Sequence, residues 1–93
     1  MTGARLLARR PAVERHLGHD GDGVLIDVAA KSAYVLNRTA WAIWELCDRQ
    51  HSADEIIAEL ARRWGIDEER AAPGCRRVLA FLEAAALVVG VER

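Results

Sequence analysis

Cys47 and His51 stand four residues apart, one helical turn, so on a shared helix the imidazole could lower the thiol pKa. The apolar neighbours Ile43 and Trp44 make a buried structural thiol the stronger expectation. His16, His19, Cys47 and His51 are all zinc-type ligands, but their spacings match no structural zinc pattern. His16 and His19 also fall in a strand and its turn, where three-residue spacing sends them to opposite faces. Asp20-Gly21-Asp22-Gly23 echoes the start of a calcium loop, yet Val24 occupies the next alternate ligand position and the glycine comes early. A tight hairpin turn is the expectation there. Ser32 falls in a loop and Ser52 at a helix start, so neither is paired with a base as a nucleophile must be. Gly21 and Gly23 do not lie between a strand and a helix, as a dinucleotide fingerprint requires. No catalytic group, metal or cofactor is therefore expected, and the chain reads as a non-enzyme.

Binding is the remaining class, and composition narrows it. The chain has 93 residues, enough for one small core, with 13 Lys+Arg against 14 Asp+Glu. A net charge of −1 argues against a partner held mainly through phosphates. Hydrophobic residues make up 52% and charged ones 29%, the balance of a globular domain. No apolar run approaches the ~20 residues of a membrane span, and the N-terminus makes a poor signal peptide. The expected location is the cytoplasm, with Cys47 and Cys75 as buried free thiols.

The elements follow from period and punctuation. Residues 1–10 read as a flexible lead-in, and 11–91 as a single domain. Val13 to Leu17 alternate weakly, Val24 to Val28 are β-branched and apolar, and Ala33 to Leu36 form a third strand candidate. Two Asp-Gly pairs separate the first two, which predicts an antiparallel meander. The period then changes. Asn37 caps a helix with Ala40, Trp41, Trp44 and Cys47 on one stripe, fading near Asp48. Ser52-Ala53-Asp54-Glu55 is a capping box opening a second helix, with Ile56, Ile57, Leu60, Ala61 and Trp64 inward and Gly65 as its stop. Asp67 can cap a third, which either starts near Pro73 or bends there. Its inward stripe is Cys75, Val78, Leu79, Leu82 and Ala86, and Val88 to Val91 suggest a closing strand. The fold class is α+β: a small winged helix-turn-helix-like domain, three antiparallel strands followed by three helices.

The stretch from Tyr34 to Asp48 (YVLNRTAWAIWELCD), with Glu55 to Ala61 and Val78 to Glu83, resembles the PqqD-like family. The shared grammar is a strand ending in Leu-Asn, a Thr-Ala helix start, Leu-Cys-Asp at that helix's end, and a late Phe-Leu followed by Leu-Val. It spans roughly residues 9 to 89. The resemblance implies a recognition element for ribosomally made, modified peptides. Such a module holds the leader of a precursor peptide as an added antiparallel strand beside the third strand, against the third helix. It then presents the leader to a maturation enzyme, commonly a radical S-adenosylmethionine enzyme as in pyrroloquinoline quinone synthesis, or a leader protease in lasso-peptide pathways. The chain departs from that pattern at Tyr34, where the prototype subgroup tends to be acidic, and at Arg77, where many relatives carry Asp.

Carried onto this sequence, the peptide-binding strand is Ala33, Tyr34, Val35 and Leu36, with Leu36 better explained as core. On the third helix, Arg77, Phe81 and Ala84 project from one shoulder, joined by Arg70 if the helix continues back through Pro73. An aromatic beside a small residue makes a pocket, and the arginines can pair with leader carboxylates. Burial statistics favour Phe81 as plain core, and solvated surface is the cautious reading of the arginines. Two competing classes remain. One is a winged-helix DNA-binding regulator, disfavoured by the net charge and by acidic residues on the second helix. The other is a homodimeric interaction scaffold that pairs its own open strand edge.

Overall fold

A computed structural model describes residues 5–11 and 13–92. The expected meander is present as β2 (Val13–Leu17), β3 (Gly23–Asp27) and β4 (Ser32–Leu36), paired antiparallel in that order. Gly21 supplies the φ of +80° that turns β2 into β3. At the next turn the buried Asp27 carboxylate accepts from the Ala30 amide at 3.2 Å. Register sorts the side chains into two faces. His16, Val24 and Val35 align in one row and Glu14, Ile26 and Ala33 in another, all on the outer face. Leu25 and Leu36 lie on the opposite face and are buried against the helices.

The three helices begin where their caps place them. Asn37 accepts from the Ala40 amide at 2.8 Å and opens α1 (Arg38–Glu45), which buries Ala40, Trp41, Ile43 and Trp44. Ser52 and Glu55 exchange both bonds of the capping box at the start of α2 (Ala53–Trp64). That helix ends on Gly65 in the left-handed conformation, φ 65°. The third helix, α3 (Glu68–Ala84), is continuous through Pro73 and starts at Glu68, well before it. Proline removes the donor for the Glu69 carbonyl. Both residues are exposed, so water can replace it. Asp67 occupies the N-cap position without a side-chain cap bond. Ala71, Cys75, Leu79 and Leu82 are the buried stripe; Ala86, expected on it, lies past the helix end at φ 58° and is exposed.

A second sheet adds to the expected three-strand architecture. Residues 5–9, read as part of a flexible lead-in, form β1 (Arg5–Arg9), the central strand between β5 (Asp48–Ser52) and β6 (Val88–Glu92). Leu6, Leu7 and Ala8 are consecutively buried, so β1 shows no alternation for a sequence pattern to reveal. Between α1 and α2 the short β5 is all polar (DRQHS) and equally silent. Arg10, just after β1, reaches Asp27 at 3.1 Å and the Ala86 carbonyl at 3.0 Å, linking the two sheets to the end of α3.

Trp64 is the other correction. Its angle puts it on the α2 apolar stripe, yet it stands in the last turn, where α2 is no longer covered, and is 42% exposed. Trp64→Ala is expected to cost no more than about 1 kcal/mol in chemical denaturation, because large losses require a buried site.

Candidate functional site

The open edge of β4 and the outer stripe of α3 form the candidate site. Among the described residues no strand pairs the far side of β4. The hydrogen-bonding direction of that edge follows from the hairpin. Gly18 donates to the Asp22 carbonyl at 2.8 Å, so alternation makes His16–Val24 and Glu14–Ile26 the bonded pairs of β2 and β3. On β3, Gly23, Leu25 and Asp27 then turn their main-chain groups toward β4, where Leu36, Tyr34 and Ser32 meet them. The amides and carbonyls of Ala33 and Val35 are left pointing away from the sheet. Val35 is 80% exposed, and Ala33 is exposed too.

Helix α3 faces this edge through Phe81. The Tyr34 and Phe81 rings meet edge-on, centroids 5.8 Å apart at 73°. Phe81 is 45% exposed, so it is a surface aromatic leaning on the strand and not the core residue that burial statistics favoured. At about 100° per residue, Arg70, Arg77 and Ala84 share its stripe, and all three are exposed. The unbroken helix is what brings Arg70 into line. Gly74 falls on the same stripe and has open space where a Cβ would stand. It was not among the residues expected in the site, although its spacing from Arg70, Arg77 and Phe81 carries the signal. Neither Arg70 nor Arg77 forms an ion pair among the described residues, whereas Arg76, one position round the helix, is held by Asp54 at 2.9 Å. Leu36 is buried and supports the edge from below. Beyond it opens a cleft of about 700 Å³ lined by Asp20, Asp22, Val35, Leu36, Asn37 and Arg38.

The residues first weighed for chemistry are placed otherwise. His51 turns to the Asp48 carboxylate at 2.8 Å, while the Cys47 thiol donates to the Ile43 carbonyl at 3.4 Å. Burial pushes the Cys47 thiol up to about 12, with Arg9 offsetting only part of the effect. Cys75 is also buried and raised, by the same cause. Native protein at pH 8 is therefore expected to leave a thiol-reactive disulfide reagent unreacted until denaturant is added; rapid labelling of one thiol would contradict this placement. Among the described residues no three His, Cys, Asp or Glu side chains gather as a metal site. On α2, Arg62 and Arg63 both pair with Glu59, at 2.5 and 2.8 Å, and these bonds hold its carboxyl down at about 2.

A family model described as Coenzyme PQQ synthesis protein D (PqqD) matches residues 22–88, from just before β3 to the start of β6. The chain belongs to the PqqD family. No curated protein matches it in sequence. Among solved structures it is similar to one described as TbiB1 in complex with the TbiA(beta) leader peptide, at a TM-score of 0.76 and 20% identity. That likeness covers 92% of this chain and 99% of the other, taking in more of the fold than the PqqD match does. At such low identity it speaks to the fold: the two-sheet, three-helix arrangement is shared. No helix of the described residues is long and apolar enough to cross a membrane.

Proposed function

We propose that this protein binds the leader of a ribosomally made precursor peptide and presents it to a maturation enzyme, without catalysing a step itself. The observation that carries the reading is the free edge of β4, whose outward main-chain groups at Ala33 and Val35 stand beside the exposed Phe81 of α3. A strand added there gains backbone hydrogen bonds from the edge and selection from the helix stripe. Membership in the PqqD family supports it, as does the leader peptide that TbiB1, the neighbour in fold, carries.

On this reading the leader has a particular form. An antiparallel strand enters beside the Asp20–Asp22 cleft, at the Leu36 end of β4, and leaves near Lys31. Its alternate residues face α3, where Gly74 leaves room and Phe81 and Tyr34 offer apolar surface for one large side chain. Arg70 and Arg77, exposed and without an ion pair among the described residues, favour an acidic leader. The receiving enzyme is a radical S-adenosylmethionine enzyme, and the work is done in the cytoplasm.

A ¹⁵N NMR titration with the leader encoded by a short reading frame beside this gene tests the reading. Shifts concentrated at residues 33–36 and 77–84 are expected, and Arg77→Glu should weaken binding by several-fold. A flat titration with that leader, or shifts confined to α2 on adding duplex DNA, would refute it.

A further inference from the structure

The opposite edge of the meander belongs to β2, which has no strand on its far side among the described residues. Its sequence, Val13-Glu14-Arg15-His16-Leu17, is complementary to itself about Arg15 when two copies run antiparallel. An apolar residue lies at each end, with an acid and a histidine inside them. The main-chain parity derived from the Gly18–Asp22 bond aims the groups of Arg15 and Leu17, and the Val13 carbonyl, away from β3. Leu17 is 71% exposed on this edge, an unusual position for a leucine on a charged strand. Beside Val13 lies a recess of about 330 Å³, lined by Arg9, Arg10, Pro11, Val13, Arg15 and Trp44, with no described side chain filling it.

We infer that two copies of this chain pair through β2 about a two-fold axis at Arg15. In that register the amides of Arg15 and Leu17 donate to the carbonyls of Arg15 and Val13 of the partner subunit. On the outer face Glu14 and His16, which already approach each other along the strand at 3.5 Å, lie opposite His16 of the partner subunit and the partner's Glu14, so the two pairs face each other across the axis with opposite charge signs aligned. On the helix side Leu17 of the partner subunit stands directly across from Val13 and enters the mouth of the recess beside Val13 and Pro11, the Trp44 ring beneath being already faced by Arg9 and Arg15. The only like charges placed directly opposite each other are the two Arg15 residues. Each is already drawn into its own subunit, its guanidinium 4.7 Å from the Trp44 ring and 3.2 Å from Glu45. An unrelated strand gains nothing from this symmetry, whereas a second copy satisfies every position twice, as an isologous interface does.

The pairing joins two meanders into one sheet with a β4 edge free at each end. A dimer therefore keeps both of the edges assigned above to the leader, and self-association through β2 does not compete with binding at β4. The inference stands on β2 and the recess alone, so it survives failure of the leader reading.

A five-residue edge with one leucine knob from each subunit falls short of the about 800 Å² per partner of a stable interface, so association is weak. Sedimentation equilibrium of the full chain between about 10 µM and 1 mM is suited to a Kd on the order of 100 µM. A monomer–dimer equilibrium is expected. Leu17→Asp should weaken it at least about tenfold without unfolding an exposed site. Glu14→Lys should weaken it too, and adding His16→Glu to Glu14→Lys should restore it, because the opposed charges are then exchanged in both copies. Val35→Pro, on the other edge, should leave it unchanged. A monomer at every concentration, a dimer indifferent to Leu17→Asp, absence of restoration by the charge exchange, or a dimer lost in Val35→Pro would each overturn the inference.

Discussion

Val35→Pro is expected to leave the protein folded and to weaken leader binding at least about tenfold, near 1.4 kcal/mol. The Val35 side chain is almost wholly outside the structure, and register directs its amide off the sheet, where proline is tolerated on an edge strand. What the substitution removes is a donor that only a bound strand can use. A single such bond is worth about 0.5–1.5 kcal/mol net, and the proline ring also obstructs the approach of the added strand. Phe81→Asp acts on the other wall of the groove by placing a carboxylate where an apolar side chain must sit, again at an exposed position. With both changes a loss of about a hundredfold is expected, since the two contact different sides of the peptide. Fluorescence anisotropy with a labelled leader, alongside thermal melts, separates binding from folding. Val35→Lys keeps the amide and should bind nearly as well as the parent. Tyr34→Pro, by contrast, removes an amide directed at β3 and should lower the melting temperature. Full affinity in Val35→Pro would show that the strand edge is not where the leader lies.

The features that could be read in the sequence are those decided locally. The Asp-Gly turn, the Asn37 cap, the Ser52–Glu55 box and the Gly65 stop each depend on a few adjacent residues, and each stands where its chemistry puts it. The layout of the candidate site was legible only in part: helical counting aligns Arg77, Phe81 and Ala84 on one exposed stripe, whereas the outward main-chain direction of Ala33 and Val35 follows from the Gly18–Asp22 hydrogen bond. Whether Phe81 was core or surface depended on how α3 lies against β4, which no local pattern contains. Trp64 failed for a related reason: its angle on α2 is correct, but exposure is decided by where the neighbouring elements end. β5 was invisible because its five residues are polar and pair with β1, whose partner residues lie 40 and 46 positions earlier. Pro73 misled in the other direction, since an exposed proline can be carried within a helix when water replaces the lost donor.

Deleting residues 1–9 is expected to unfold the domain, although by sequence pattern these residues look dispensable. Arginines flank the segment, and its apolar residues run consecutively, which suggests neither a half-buried strand nor an amphipathic helix. Consecutive burial is the mark of a strand covered on both faces, and β1 is the middle strand of its sheet. Removing it leaves β5 and β6 without the partner that each pairs with. Leu7 is 2% exposed and joins the main core cluster, while Leu6 and Ala8 are buried alongside it. Losing one such leucine side chain costs about 2–5 kcal/mol. Small domains are stable by about 5–15 kcal/mol in all, so two leucines and the pairing of both neighbouring strands exceed what this one can lose. The deletion variant should therefore give a collapsed amide proton spectrum with no cooperative melt. Leu7→Ala should fold but melt at lower denaturant by the single-leucine amount, which grades the same effect without removing the strand. A deletion variant that still melts cooperatively, with leader shifts at β4 intact, would make the second sheet an accessory to an independently stable meander and helix core. The continuous burial of β1 and the Arg10–Asp27 link at its end point to the opposite arrangement, in which the first strand closes the fold and steadies the meander that carries the β4 edge.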